Sequence, residues 1–199
     1  MDEPRPALIL GSTSPYRREL LERLRQPFSV IRPDVDETPA DGEAPDALAM
    51  RLALAKARAA AATARTQHAD AIVIGSDQVA DLDGEALGKP GTHADAQAQL
   101  RRMSGREVVF QTAVAVVAPG LAAIERAEVR VRFRVLSDAA IDAYLRADEP
   151  YDCAGSAKVE SLGIALLDAV VSDDPTALIG LPLIRTCALL RRAGLEPLA

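Results

Sequence analysis

The chain has 199 residues, 49% of them apolar, and a net charge of −6. That is enough chain to bury a core in one domain, or in two small lobes around one cleft. The acidic balance argues against a protein that coats nucleic acid or lies on a membrane surface. With two histidines (His68, His93) and two cysteines (Cys153, Cys187) that form no CxxC pair, a zinc site built from those ligands is not expected. The opening residues 1–6 are polar and no apolar run is long enough to span a bilayer, so a cytoplasmic protein with reduced thiols is the expectation.

Residues 7–10 (Ala-Leu-Ile-Leu) read as a short buried strand broken by Gly11-Ser12-Thr13-Ser14-Pro15. Ser14 suits an N-cap and Pro15 the first helical position, which predicts a helix over 16–25 with Leu20, Leu21 and Leu24 on one face. A second strand is predicted at 28–31. An acidic loop follows over 33–45, then a long Ala-rich helix over 47–64. Residues 71–74 form the clearest buried strand, expected to end at Gly75-Ser76-Asp77. Residues 79–87 read as a hairpin turning at Asp83-Gly84. Thr92 caps a predicted helix to Met103. Paired strands are expected over 108–117 and 127–135. In the second, Val129, Val131, Phe133 and Val135 alternate with Arg130, Arg132 and Arg134, the mark of one wet face. Ser137 caps a helix to about Ala147, residues 163–167 read as a strand, and a final helix over 182–193 is closed by Gly194. Strands and helices alternate early and paired strands fill the middle, which predicts an α/β (α+β) fold with a mixed sheet and flanking helices.

Three segments carry chemistry. Ser12-Thr13-Ser14-Pro15-Tyr16-Arg17-Arg18 joins a strand to a helix start, where free N–H groups and hydroxyls favour an anion and Arg17 or Arg18 adds charge. An ordinary capped helix would look the same, and neither a P-loop nor a dinucleotide fingerprint is present. Asp77, in Gly75-Ser76-Asp77-Gln78, is a carboxylate on a rigid element that can orient a water or hold a hard cation. Asp34-Val35-Asp36-Glu37 is a second acidic cluster that matters only if it meets Asp77 in space. The cations are unevenly chosen: twenty arginines but only Lys56, Lys89 and Lys158 as lysines. A lysine ammonium is a compact charge with three rotatable donors, which suits scattered phosphate oxygens better than a planar guanidinium does. Carboxylates for a divalent metal and a water, with cations for phosphates, make the pattern of metal-assisted phosphoryl chemistry.

These motifs occur in one order: SxSPxR, an acidic DxDE-type loop, a strand carrying GSDQ, a GKP loop and a late AGSxKxE segment at 154–160. The set resembles the Maf-like nucleotide pyrophosphatases over residues 8–198. Gly11 is a departure, standing where many members have alanine. The resemblance implies a nucleotide-binding cleft at the centre of the fold. It also implies hydrolysis of a nucleoside triphosphate between its α and β phosphates, with Mg²⁺ or Mn²⁺ as cofactor. By the same resemblance Asp77 matches the proton acceptor. Ser12, Arg17, Lys56 and Lys89 match phosphate-binding positions, Lys158 joins the substrate-binding set, and Glu37 is a carboxylate near the metal. Tyr16, Gln78 and Glu160 stand at three specificity positions and are similar to the branch that prefers 7-methyl-GTP; the branch acting on dTTP and UTP has Arg, Thr and Gln there.

The base preference has a physical reading. Guanine offers adjacent N1–H and N2–H₂ donors that one carboxylate can accept together, while uracil and thymine offer one donor between two acceptors. N7-methylation makes the base cationic, which favours Glu160 and an aromatic platform such as Tyr16. The expected partner is a small nucleotide, not a nucleic-acid polymer or a membrane, and monomer and homodimer both remain open. The alternatives are a dTTP/UTP pyrophosphatase of the same family and a non-catalytic nucleotide-binding regulator of cell division.

Overall fold

The computed structural model describes residues 6–198; the polar segment 1–5, expected to carry no leader, lies outside them. Strand β1 (Leu8–Gly11) is buried throughout and leads into α1 (Pro15–Glu22), with Pro15 at the first helical position and the Ser14 hydroxyl accepting from the Arg17 N–H. Then come β2 (Phe28–Val30), α2 (Pro45–Ala64), the long β3 (Ile72–Leu82) and β4 (Glu85–Leu87). Helix α3 (His93–Met103) is capped by Thr92, and α4 (Asp138–Asp148) by Ser137, as their sequences predict. Between them lie β5 (Glu107–Ala118) and β6 (Leu121–Phe133); β7 (Leu167–Val171) and α5 (Leu183–Arg192) close the chain.

The strands form one mixed seven-stranded sheet in the order β2-β1-β3-β5-β6-β7, with β4 paired to β3. β2, β1 and β3 run parallel and the other pairings are antiparallel. The two faces follow the period of two along β5. Ala113, Ala115 and Val117 pack under α2. Val114 and Val116 pack against Leu20 and Leu21 of α1 and Leu189 and Leu190 of α5. At the other end of that second face, Phe110 and Val108 meet Leu100 of α3 and Ile141 and Leu145 of α4.

The alanine-rich make-up of α2 has a steric cause. A Cβ on Gly75 would sit 2.4 Å from both the Ala53 carbonyl oxygen and the Ala57 nitrogen. One on Gly11 would sit 2.9 Å from the Ala60 Cβ. Glycine on the strand and alanine on the helix let the two backbones approach closely. That approach carries Lys56 of α2 onto β3.

Three sequence expectations are corrected. β3 does not end at Gly75-Ser76-Asp77 but runs unbroken to Leu82, because β5 pairs with it from Val73 to Asp81. The strand expected over 163–167 begins only at its last residue, Leu167, the start of β7. Leu162–Leu166 is a 3₁₀ turn that buries Gly163 and Leu166 three residues apart, and Gly163 lies so close to Lys158 that a Cβ would be 2.4 Å from its carbonyl oxygen. β6 begins at Leu121 and stops at Phe133, so Val129, Val131 and Phe133 are buried as the alternation predicts while Val135 is 86% exposed. No helix among the described residues is long and apolar enough to cross a membrane.

Candidate active site

The site sits at a gap along one edge of β3. β1 pairs with β3 only as far as Gly75, opposite Gly11, and β4 pairs with it only from Ala80. Between those points, Ser76 to Val79 are held by β5 alone. Side chains alternate across a strand, so Asp77 turns toward α2 and Gln78 toward residues 177–180, with which it bonds. Both nonetheless line one cleft of about 680 Å³, a volume in the range of small-molecule sites. The position is therefore a mid-strand gap, not a strand end.

On the α2 side, Lys56 is 6% and Asp77 7% exposed. The Lys56 Nζ donates to Asp77 Oδ1 at 2.6 Å and contacts Glu37 Oε1 at 2.7 Å. The acidic loop thus meets Asp77 through one ammonium. Glu37 remains the wetter partner, its side chain 55% exposed. Its loop is tied to α2 by Arg51, which binds Glu43 at 2.6 Å and the Thr38 carbonyl at 3.1 Å. Desolvation pushes the Glu37 carboxyl up, but Lys56, then Lys89 and Arg17, outweigh it and hold the pKa below the usual carboxylate range.

Arg17 leaves the first turn of α1 and donates to the Gly180 carbonyl at 2.9 Å and to the Ser12 hydroxyl at 3.4 Å. Burial pulls its pKa down, opposed by the Asp77 and Glu37 carboxylates. The neighbouring Arg18 is exposed and pairs with Glu22 at 3.1 Å, so of the two arginines it is Arg17 that lines the cleft. Lys89 also lines the cleft, on an exposed loop whose Gly88 carbonyl accepts from Gln99 at 3.0 Å.

The donor set fits a magnesium-type cation. Among the described residues no group of three His, Cys, Asp or Glu side chains converges for a metal. Magnesium, however, typically takes one or two carboxylates together with substrate phosphates and waters. Asp77 and Glu37 are two hard oxygen donors converging on one nitrogen, with Lys56 supplying the positive charge between them.

The remaining wall carries Tyr16, Gln78, Cys153 and Glu160. The Gln78 Nε2 donates to Thr112 Oγ1 at 3.0 Å and to the Ala177 and Leu178 carbonyls at 2.9 and 3.0 Å. Carbonyls only accept, so the amide orientation is set by its neighbours. Oε1 has no partner among the described contacts and is left as an acceptor. Burial raises the Tyr16 pKa, with Cys153 adding to the rise and a hydrogen bond to Lys158 opposing it. Burial, with Asp152 alongside, pushes the Cys153 thiol up to about 12. Desolvation raises the Glu160 carboxyl above its usual range, partly offset by its own backbone and Lys158.

Lys158 is placed differently from the sequence expectation. Its ammonium reaches the Asp148 and Glu149 carbonyls at 3.1 and 3.4 Å and Asp152 at 3.5 Å, and it does not line the cleft. The late segment through Leu178, Ile179 and Gly180 also lines the cleft and was missed in the sequence. Its only local signal is Asp174-Pro175 and Gly180-Leu181-Pro182, a turn-rich stretch between two apolar runs.

The sheet and the cluster define an α/β protein with a cationic, carboxylate-bearing cleft of nucleotide size. The model of the family described as "Maf-like protein" matches residues 7–193, and the chain belongs to that family, in agreement with the motif resemblance. It is 63% identical over 201 residues to the 7-methyl-GTP pyrophosphatase of Albidiferax ferrireducens, covering 100% of this chain and 99% of the relative. It is 64% identical over 189 residues to that of a Polaromonas species (94% and 84% covered) and 61% identical over 193 residues to that of Bordetella pertussis (97% and 95% covered).

Proposed function

We propose that this chain is a nucleoside triphosphate pyrophosphatase that hydrolyses 7-methyl-GTP to 7-methyl-GMP and diphosphate. The observation that carries the reading is the convergence of Lys56 with Asp77 and Glu37 inside the cleft. It stands beside full-length relatives that bear this activity as their name.

In this reading Ser12, Arg17, Lys89 and the N–H groups at the start of α1 hold the phosphates. Lys56 holds the Asp77 carboxylate in place through their 2.6 Å contact. When phosphate oxygens enter and share the ammonium, an Asp77 carboxylate oxygen is freed to accept a hydrogen bond from a water. That water attacks the anhydride between the α and β phosphates, its proton passes to Asp77, and diphosphate leaves. Asp77 and Glu37 would hold the divalent ion, which when bound neutralises charge building on the phosphates. On the other wall the Gln78 Oε1 and the Glu160 carboxylate present acceptors to guanine N1–H and N2–H₂, and Tyr16 offers a face to the cationic ring. The whole chain would act as one unit around this cleft, in the cytoplasm.

Phosphorus NMR of a reaction with 7-methyl-GTP tests the bond cleaved. Diphosphate and 7-methyl-GMP in equal amounts are expected; orthophosphate with 7-methyl-GDP contradicts the reading. Excess EDTA is expected to reduce diphosphate release to background, and Mg²⁺ or Mn²⁺ to restore it. Undiminished release in EDTA removes the metal. Lys89→Arg keeps the charge but replaces a compact ammonium with a planar fork, and should lower kcat/KM roughly 10-fold. Steady-state kinetics equal to the parent's would return Lys89 to the solvated surface.

A further inference from the structure

We infer that Asp174, which does not reach the cleft, is the positioning residue for both walls of the site. It is fully buried, at 0% exposure. Its Oδ1 accepts from the Thr176 N–H at 3.3 Å and lies 2.9 Å from the Thr176 hydroxyl. Its Oδ2 accepts from the N–H groups of Ile184 at 2.9 Å and Arg185 at 3.2 Å, in the first turn of α5. The Thr176 hydroxyl in turn accepts from the Leu183 N–H at 2.8 Å and has the Leu181 carbonyl 2.8 Å away. One carboxylate thereby clamps both ends of the turn at 176–182 to the helix behind it.

That turn holds the site through three backbone carbonyls. Ala177 accepts from Gln78 Nε2 and from Thr112, both at 2.9 Å. Leu178 accepts from Gln78 at 3.0 Å. Gly180 accepts from Arg17 Nε at 2.9 Å and from the buried Ser76 hydroxyl at 2.9 Å. Gly180 has φ +121°, and a Cβ there would stand 3.6 Å from the Arg17 Nε. A buried carboxylate that accepts from three backbone N–H groups and lies beside the Thr176 hydroxyl is costly to disturb. Any shift of the turn is passed at once to Gln78, on the wall proposed to face the base, and to Arg17, on the wall proposed to face the phosphates. The catalytic consequence rests on the proposed pyrophosphatase activity; the positioning itself does not.

The test uses the full-length chain with Asp174→Asn and Thr176→Val, Thr176→Ser as the conservative variant, and Ser137→Ala as a distant helix-cap control. In ¹⁵N-labelled protein the Gln78 side-chain NH₂ and the Arg17 Nε–H report the geometry without any turnover. Asp174→Asn and Thr176→Val should shift these signals and speed their exchange with water. They should also lower kcat/KM for 7-methyl-GTP roughly 10- to 100-fold and narrow its preference over GTP. Thr176→Ser should restore both readouts, and Ser137→Ala should lower Tm while moving neither. Folded Asp174→Asn and Thr176→Val with parental Gln78 and Arg17 signals would overturn the inference. So would loss of the whole fold in both, which assigns the carboxylate to stability alone. A parent inactive on every nucleotide contradicts the proposed function and leaves the side-chain signals to decide this point.

Discussion

Asp77→Asn is expected to lower kcat by about 100-fold or more while leaving the fold intact, the size of loss associated with removing a general base. The substitution preserves shape and removes the negative charge that Lys56 contacts at 2.6 Å. Glu37, at 2.7 Å on the same nitrogen, remains to pair the buried ammonium, so collapse of the site through an unpaired charge is not expected. An amide cannot take a proton from water, whereas it can still occupy the carboxylate's place beside the phosphates. The effect should therefore fall on kcat more than on nucleotide affinity. Single-turnover kinetics with equilibrium binding of the product monophosphate separates the two. Near-parental kcat in the folded variant would remove Asp77 from the chemistry and leave it as a partner that merely neutralises Lys56.

Glu160→Gln is expected to lower kcat/KM for 7-methyl-GTP by roughly 5- to 150-fold, since one donor–donor mismatch in a polar site costs on the order of 1–3 kcal/mol. UTP, with a single donor between two acceptors, should lose less. The rim position fits this role. The carboxyl is desolvated enough to raise its pKa, and a cationic base beside it would favour the ionised form. Acidification acts in the same direction as the mutation. As pH falls through the raised Glu160 pKa the acceptor pair is lost, so the preference for 7-methyl-GTP over UTP should narrow on the acid side in the parent and stay flat in Glu160→Gln. Equal losses on both nucleotides would mean that Glu160 does not read the base.

Local patterns in the chain foretell most elements but not how they combine. Ser14, Thr92 and Ser137 announce their helices because capping is a contact within three residues. The period of two along 129–133 announces a half-wet strand for the same local reason. Glycine and polar residues at Gly75-Ser76-Asp77 suggest a strand end, whereas nine pairings with β5 carry β3 through them. Residues 163–167 look like a strand from their apolar run, but the close approach of Gly163 to Lys158 makes 162–166 a turn and delays the strand to Leu167. At the candidate site, the meeting of Asp77 with Glu37 required Lys56 between them, and nothing in residues 34–37 foretells that contact. The role of residues 174–180 was unreadable for a sharper reason. Their backbone carbonyls make the contacts, and a carbonyl leaves no mark on residue type.

The most direct measurement is kcat/KM for released diphosphate across 7-methyl-GTP, GTP, dTTP and UTP with the purified chain and Mg²⁺. The highest value is predicted for 7-methyl-GTP, with GTP behind it because it lacks the ring charge, and dTTP and UTP behind it because they lack the paired donors. A chain that favours dTTP or UTP would contradict the assignment of Tyr16, Gln78 and Glu160 to base selection, and a chain that releases diphosphate from none of the four would contradict the pyrophosphatase reading itself.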